Sequence, residues 1–166
     1  MNILLIRHAD ALPAGGGGVL DDESRPLSGE GVAQCGPLAQ AIERLGVRPA
    51  VVVSSPLLRA RQTASGLLQK WEGTPPELRI AEDLAPGAKK SKLAKLLRGF
   101  TAETIALVGH MPDLGLFAAW LIGCKKARIE FAKAGAMYLI CESMPAKGGA
   151  SLEWMVTPQV CAAIER

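Results

Sequence analysis

A chain of 166 residues is close to one domain in length, and with 49% hydrophobic and 21% charged residues it can form a substantial core. This composition excludes a disordered or fibrous protein. The net charge is only +3 and the basic residues are dispersed from Arg7 to Arg166, which argues against nucleic acid as a partner. We therefore expect a single domain spanning residues 1–166.

The cysteines and the hydrophobic segments limit the cellular setting. The hydrophobic run at residues 3–6 is too short for a signal peptide, and the run at 114–122 is far below the roughly 20 residues of a membrane span. We expect a cytoplasmic protein that has no membrane partner and no bound metal. The cysteines lack CxxC spacing and are expected to be reduced, buried thiols; they are Cys35, Cys124, Cys141 and Cys161.

The first half of the chain alternates strand and helix signals. Hydrophobic runs at residues 3–6 and 50–53 predict strands that are buried on both faces of a sheet. A glycine run at residues 15–18 predicts a mobile loop tip. A helix is predicted from Ser28 to the stop signal at Gly46. Its hydrophobic positions are Val32, Leu38, Ala41, Ile42 and Leu45.

The middle of the chain continues this alternation. A helix over residues 57–71, a strand over 78–80 and a basic amphipathic helix over 89–97 are predicted. A strand at residues 104–108 then leads into a helix at 113–122.

The C-terminal part predicts a hairpin. Residues 136–142 and 151–156 favour antiparallel strands joined by a turn rich in proline and glycine, and a short helix follows them. The whole pattern predicts an α/β fold with a mixed sheet.

Both histidines of the chain lie just after predicted strands. His8 follows the first strand, and His110 follows the strand at residues 104–108. Because α/β sheets bind ligands at the carboxyl ends of their strands, we expect both rings in one crevice. The alternative for either histidine alone is a structural role. A neutral imidazole is available as a nucleophile near neutral pH.

Three arginines are expected close to these histidines. Arg7 precedes His8, Arg59 lies in the first turn of a predicted helix, and Arg25 precedes the start of another. Guanidinium groups and free N–H groups at a helix N-terminus bind phosphate well. For Arg25 alone, a solvated surface position is the alternative.

Three segments in this order resemble the signatures of one enzyme family. Residues 5–9, Leu-Ile-Arg-His-Ala, are similar to an Arg-His-Gly signature, with Ala9 in place of glycine. Residues 54–64 and 108–110 resemble the second and third signatures. The chain is thus similar to the histidine phosphatase superfamily, which is also called phosphoglycerate mutase-like. The resemblance implies a three-layer αβα fold, in which helices flank a mostly parallel central sheet.

Within this superfamily, the chain looks like the SixA-type phosphohistidine phosphatases. The resemblance lies in its short length and in residues 25–28, Arg-Pro-Leu-Ser, and 154–158, Trp-Met-Val-Thr-Pro. Residues 68–97 are too few for a large lid insertion, so the site is expected to be open. An open site can admit a histidine on a protein surface, such as that of a histidine phosphotransfer domain.

The resemblance also implies a mechanism that needs no cofactor. His8 attacks phosphorus and forms a phosphohistidine intermediate that water hydrolyses. Arg7, Arg59 and His110 surround the phosphoryl oxygens, and Arg25 is a further phosphate-binding residue.

A proton donor for the leaving group is less clear. Glu82 and Asp83 occupy the region where relatives that act on phosphate esters carry an acid, and Asp10 is another nearby carboxylate. A solvated loop position is the alternative for Glu82 and Asp83. Because an imidazole leaving group needs less assistance, the lack of a clear acid favours phosphohistidine as the substrate.

Two other functions remain open at this point. One is a phosphomonoesterase or mutase of the same superfamily that acts on a small molecule. The other is a non-catalytic module that binds phosphorylated partners, although such a module would need no nucleophile.

Overall fold

The computed structural model describes residues 1–15 and 21–164. Most of the predicted glycine loop tip at residues 15–18 lies outside these residues; Gly15, with φ of +78°, lies in a turn. Within the described residues, no helix is long and hydrophobic enough to cross a membrane.

A mixed six-stranded sheet forms the centre of the described part of the chain. In spatial order its strands run β3-β2-β4-β1-β5-β6. The first four are mutually parallel, whereas β5 pairs antiparallel with both β1 and β6. The strands are β1 Asn2–Arg7, β2 Val51–Ser54, β3 Glu77–Ile80, β4 Thr104–Gly109, β5 Ala136–Cys141 and β6 Ala150–Val156.

Helices cover both faces of the sheet and give three layers. On one face, α1, α2 and α5 contribute to a shared hydrophobic cluster; on the other, α3 and α4 do so. A short 3-10 helix, Glu82–Leu84, follows β3. The α-helices are α1 Gly29–Arg44, α2 Leu58–Leu68, α3 Lys90–Arg98, α4 Asp113–Leu121 and α5 Pro158–Ile164.

Strand β1 shows how the sequence produces two cores. Successive side chains of a strand point to opposite faces. Leu4 and Ile6 pack into the cluster under α1 and α2, and Ile3 and Leu5 pack into the cluster under α3 and α4. All four are fully buried, which is why the strand is a continuous hydrophobic run.

The predicted fold class is confirmed. Each predicted strand and helix is present, with ends that differ by three residues or fewer; the largest difference is the earlier end of α2, at Leu68. Between β3 and α3 the chain holds only the three-residue 3-10 helix and its connections. A large lid insertion is therefore not present in this segment, as expected.

Two hydrophobic positions of α1 are exposed, and the predicted burial of one cysteine is wrong. Val32 is 63% exposed and Leu45 is 38% exposed. Val32 is adjacent to the buried Gly31, and one residue turns a helix by about 100°, so its side chain points away from the sheet. Cys124 is exposed because it lies in the turn after α4, whereas the other cysteines are buried.

Candidate active site

The order of the strands brings the two histidines together. Strands β1 and β4 are neighbours, and Arg7 at the end of β1 lies opposite Gly109 at the end of β4. The next residues are His8 and His110, whose ring centroids are 5.1 Å apart with an angle of 56° between the ring planes. Both side chains are buried. The structure thus places both rings in one crevice, while their catalytic roles remain a prediction.

The tautomer of His8 is fixed by its neighbour. Nδ1 of His8 is 2.7 Å from the carbonyl oxygen of Ala9, which can only accept a hydrogen bond. Nδ1 therefore carries the proton, and the lone pair is on Nε2. Arg59 donates from its Nε to this Nε2 at 3.3 Å. The lone pair of Nε2 is therefore engaged by a cationic group, which would also attract an anion.

The surroundings of His8 keep its ring neutral. Burial, which is the largest cause, and the positive charges of Arg59, Arg7 and Lys133 together lower the pKa of His8 to about 4. The hydrogen bond to Ala9 opposes this shift. At neutral pH the ring is therefore neutral, and Nε2 keeps its lone pair.

Arg59 projects from the first turn of α2 into the crevice. Its side chain is 5% exposed, and it donates from Nη1 to the Asp22 carbonyl and from Nη2 to Oδ2 of the Asp22 carboxylate. Thr63, one turn later, donates to the carbonyl of Arg59 and accepts from the N–H of Ala9. The helix start is thus tied to the segment that holds His8.

Ala9 fits the position that is a glycine in the signature it resembles. Among the described residues, Ala134 is the one non-glycine residue with positive φ, so Ala9 has an ordinary backbone conformation. Its side chain is fully buried. Alanine is therefore tolerated at this position without backbone strain.

Arg7 supplies a second guanidinium to the crevice. It donates from Nη1 to the Phe131 carbonyl at 2.9 Å. Its Nε is buried and has no hydrogen-bond partner, a state that costs free energy. Burial also lowers the pKa of Arg7. A bound anion would accept a hydrogen bond from the Nε–H group of Arg7 and would offset the positive charge of its guanidinium.

His110 is held by the second signature segment. Its Nε2 is joined to Oγ of Ser55 by a hydrogen bond of 2.8 Å. The pKa of His110 is lowered to about 3, chiefly by burial and also by repulsion from the protonated form of His8 and from Arg59. His110 is therefore a neutral hydrogen-bonding group at the crevice.

The remaining predicted residues lie further from the histidines. Arg25 donates from Nε to the Leu12 carbonyl at 2.6 Å and from Nη1 to Asp22 at 2.7 Å. It therefore contacts Asp22, the residue that binds Arg59, rather than His8. Asp10 accepts from Ser28 and pairs with Lys133.

The two candidate acids lie at the same edge of the sheet as the histidines. Ala81 donates its N–H to the Ser54 carbonyl, so the 3-10 helix that follows β3 begins beside the end of β2. Glu82 and Asp83 form no hydrogen bond with either histidine, and Asp83 lies 3.6 Å from Lys92. The structure does not bring these carboxylates into contact with the histidine pair.

Sequence reasoning missed three residues near the histidines: Asp22, Ser55 and Lys133. Ser55 lies in the second signature segment and could have been found from it. Asp22 stands in an acidic run, Asp-Asp-Glu, that does not reveal which carboxylate points inward. Lys133 lies in a loop between α4 and β5 and carries no sequence signal.

The arrangement is suited to phosphoryl transfer. It combines one neutral imidazole with an unprotonated Nε2, the buried guanidinium of Arg59, the half-buried guanidinium of Arg7 and a second neutral imidazole. Fixed donors around a phosphoryl group stabilise the charge of the transition state without reorganisation. In the part of the chain that the structure describes, no group of three or more His, Cys, Asp or Glu side chains is arranged to hold a metal ion.

Comparisons with known proteins point in the same direction. Residues 3–85 match the family described as histidine phosphatase superfamily (branch 1). An uncharacterized protein of Picosynechococcus sp. is 36% identical over 143 residues, which are 84% of each chain.

Two solved structures share the fold. The protein histidine phosphatase SixA complexed with tungstate has a TM-score of 0.83 at 21% identity, covering 96% of this chain and 99% of its own. The alpha-ribazole phosphatase of Shigella flexneri has a TM-score of 0.72 at 18% identity, covering 95% and 97%. At these identities the likeness shows the fold.

Proposed function

The chain belongs to the histidine phosphatase superfamily, and we propose that this phosphatase removes the phosphoryl group from a phosphohistidine on another protein. His8 is the nucleophile, and a histidine phosphotransfer domain is the type of partner that would carry the substrate. The observation that carries the proposal is the unprotonated Nε2 of His8, which lies in a buried crevice and accepts a hydrogen bond from Arg59 Nε.

The reaction has two displacement steps. Nε2 of His8 attacks phosphorus while the bond from phosphorus to the substrate imidazole breaks, and that imidazole takes a proton from solvent. Water then attacks the phosphorus on His8, which releases inorganic phosphate and restores the free imidazole. Arg7, Arg59 and His110 hold the phosphoryl oxygens through both steps.

The surroundings of the site favour phosphohistidine over a phosphate ester. An alkoxide leaving group needs a proton donor, whereas an imidazole needs less help. The carboxylate beside the site, Asp22, is hydrogen-bonded to Arg25 and Arg59, which lower its pKa, so it is ionised at neutral pH. Glu82 and Asp83 make no contact with the histidines. Since none of these three carboxylates, all in the described part of the chain, is placed as a proton donor, a substrate that needs little acid assistance fits better.

The short connection between β3 and α3 supports a protein substrate. This connection holds a three-residue 3-10 helix, which is too small to close over a metabolite. A histidine on a protein surface can reach a site that has no such cover. The fold itself does not decide between substrates, because SixA and alpha-ribazole phosphatase both share it.

The test compares two substrates with and without the nucleophile. Phosphate release is measured from a phosphohistidine-bearing phosphotransfer domain and from an aryl phosphate, for wild type and His8→Ala, without added metal. We expect wild type to act on the phosphodomain with higher kcat/KM, and His8→Ala to be inactive on it. Activity confined to small esters would identify a phosphomonoesterase instead.

A second measurement addresses the covalent intermediate. Wild type mixed with radiolabelled phosphodomain is quenched rapidly and kept in alkali, in which phosphohistidine survives. We expect label on the wild-type chain and none on His8→Ala. Phosphate binding without label and without turnover would indicate a non-catalytic binding module.

A further inference from the structure

The carboxylate of Asp22 lies between two arginine side chains. Its Oδ2 is 3.0 Å from Nη2 of Arg59, and its Oδ1 is 2.7 Å from Nη1 of Arg25. The backbone carbonyl of Asp22 also accepts from Nη1 of Arg59 at 2.6 Å. This one residue therefore engages both terminal nitrogens of the Arg59 guanidinium.

These bonds fix the direction of the third nitrogen of Arg59. A guanidinium is planar, and its N–H groups keep fixed relative directions. With both Nη atoms held by Asp22, the Nε–H points at Nε2 of His8, 3.3 Å away. A phosphoryl group bonded to that Nε2 would replace this hydrogen bond, and its oxygens would then be the acceptors nearest to the same N–H group.

The segment that carries Asp22 is itself anchored at two points. The Leu58 N–H, in the first residue of α2, donates to the Glu23 carbonyl at 3.0 Å. Arg25, which holds the other carboxylate oxygen, donates from Nε to the Leu12 carbonyl. The carboxylate is thus fixed with respect to the helix from which Arg59 projects.

Charge and burial argue against direct contact between Asp22 and the phosphoryl group. The carboxylate would repel an anion, and the Asp22 side chain is 54% exposed while that of Arg59 is 5% exposed. Asp22 therefore holds Arg59 from the solvent side, and the Nε edge of the guanidinium faces inward.

We propose that Asp22 is a positioning residue that holds Arg59 with its Nε–H directed at the phosphoryl group on His8, and that Arg25 in turn holds Asp22. This inference rests on the proposed role of His8 as nucleophile. It gives Arg25 an indirect role in place of the predicted contact with phosphate.

The kinetic test replaces Asp22 by its uncharged analogue. Asp22→Asn should lower kcat for the aryl phosphate or the phosphodomain about tenfold, because small misplacements of a catalytic group are costly. KM should stay the same or fall, since a negative charge near the anion is removed. The matched control is Asp21→Asn, which removes the same charge from the same segment; Asp21 contacts Ser24 and not Arg59.

A double-mutant cycle separates positioning from a general loss of structure. In the Arg59→Ala background, Asp22→Asn should lower kcat no further, because the group it positions is gone. Equal losses in both backgrounds would overturn the proposal. An increase of kcat in Asp22→Asn would instead identify Asp22 as a competitor of the phosphoryl group for Arg59.

A spectroscopic readout does not depend on turnover. In ¹⁵N-labelled protein, the Nε–H signal of Arg59, assigned from Arg59→Ala, should be a distinct peak that shifts and broadens in Asp22→Asn and stays in place in Asp21→Asn. An unchanged signal in Asp22→Asn would contradict the proposal. If wild type has no phosphatase activity, the proposed function fails, while this signal still decides whether Asp22 orients Arg59.

Discussion

His8 is the residue on which the proposed chemistry depends, and its protonation can be observed directly. Its pKa is lowered to about 4 and that of His110 to about 3, chiefly by burial. Because these are the two histidines of the chain, we expect that NMR titration in anion-free buffer shows no imidazole change between pH 8 and pH 5.5. A His8→Gln variant assigns the signals. A titration midpoint near pH 6.5 would show that the imidazole ring is in contact with water.

Two arginines at the start of α2 differ in burial, so that one can serve as the control for the other. Arg59 is buried against His8, whereas Arg61 is exposed on the same helix. We expect Arg59→Ala to lower kcat/KM by about a hundredfold or more, the usual cost of losing a donor to a developing charge. Arg61→Ala should leave kcat/KM within about twofold. Similar losses in both variants would indicate a general charge effect and not a specific contact.

At the scale of single residues, the sequence predicts which residues belong to the site better than it predicts which side chains they contact. His8, His110, Arg7 and Arg59 could be selected because they follow strands or begin a helix. Asp22 could not, because Asp21 beside it has the same chemistry and only the folded segment decides which carboxylate meets Arg59. The roles of all these residues remain predictions that the experiments above test.

Among the elements, the start of α1 is tightly constrained by its neighbours. Ser28 accepts from the Gly31 N–H at 3.0 Å and donates to the Asp10 carboxylate at 2.6 Å. A Cβ on Gly31 would lie 1.9 Å from the Asp10 carbonyl oxygen, which is backbone and cannot move freely. Close approach of the chain after His8 to α1 therefore requires glycine here.

This contact leads to a prediction about stability. Gly31→Ala should lower the free energy of unfolding by about 2 to 3 kcal/mol, because the overpacked backbone must shift. Gly36→Ala on the same helix meets nothing within 4 Å and should raise it by about 0.5 to 1 kcal/mol through helix propensity. Urea denaturation measures both. Equal effects would mean that the approach of Asp10 does not constrain α1.

The elements themselves were predictable because their hydrophobic periods are clear. Strands β1, β2 and β4 are buried on both faces and appear as continuous hydrophobic runs. Burial on α1 was less predictable, since Val32 and Leu45 continue a hydrophobic pattern yet face solvent. Sequence periodicity shows which residues could be buried, and packing against α2 and α5 decides which ones are.

For the whole molecule, topology assembles the site. His8, Ser55 and His110 follow three parallel strands that are neighbours in the sheet, so residues about 50 positions apart meet at one edge. The sequence predicted that the two histidines meet at this edge because both follow the carboxyl ends of predicted strands, where α/β sheets bind ligands. It could not predict the loop at residues 131–135, whose Phe131 carbonyl holds Arg7 and whose Lys133 adds charge.

The two neutral histidines also make the stability of the whole molecule depend on pH. In the unfolded chain they titrate near 6.5, whereas their folded pKa values are about 4 and about 3. Below pH 6.5 the unfolded state therefore binds more protons, so the free energy of unfolding falls as the pH falls toward 4. From pH 6.5 to pH 5 the loss should be about 1.5 kcal/mol for each histidine. Urea denaturation in anion-free buffer measures it.

A double variant, His8→Gln with His110→Gln, provides the control for this pH dependence. It removes both histidines of the chain, so its free energy of unfolding should be nearly constant between pH 6.5 and pH 5. Carboxylates such as Asp22, with lowered pKa values, should add a further loss only below about pH 4, where they begin to protonate. If wild type and the double variant lose stability in parallel between pH 6.5 and pH 5, burial of the neutral rings is not the cause. A loss confined to wild type would establish that the fold keeps both imidazoles unprotonated, as nucleophilic attack by His8 requires.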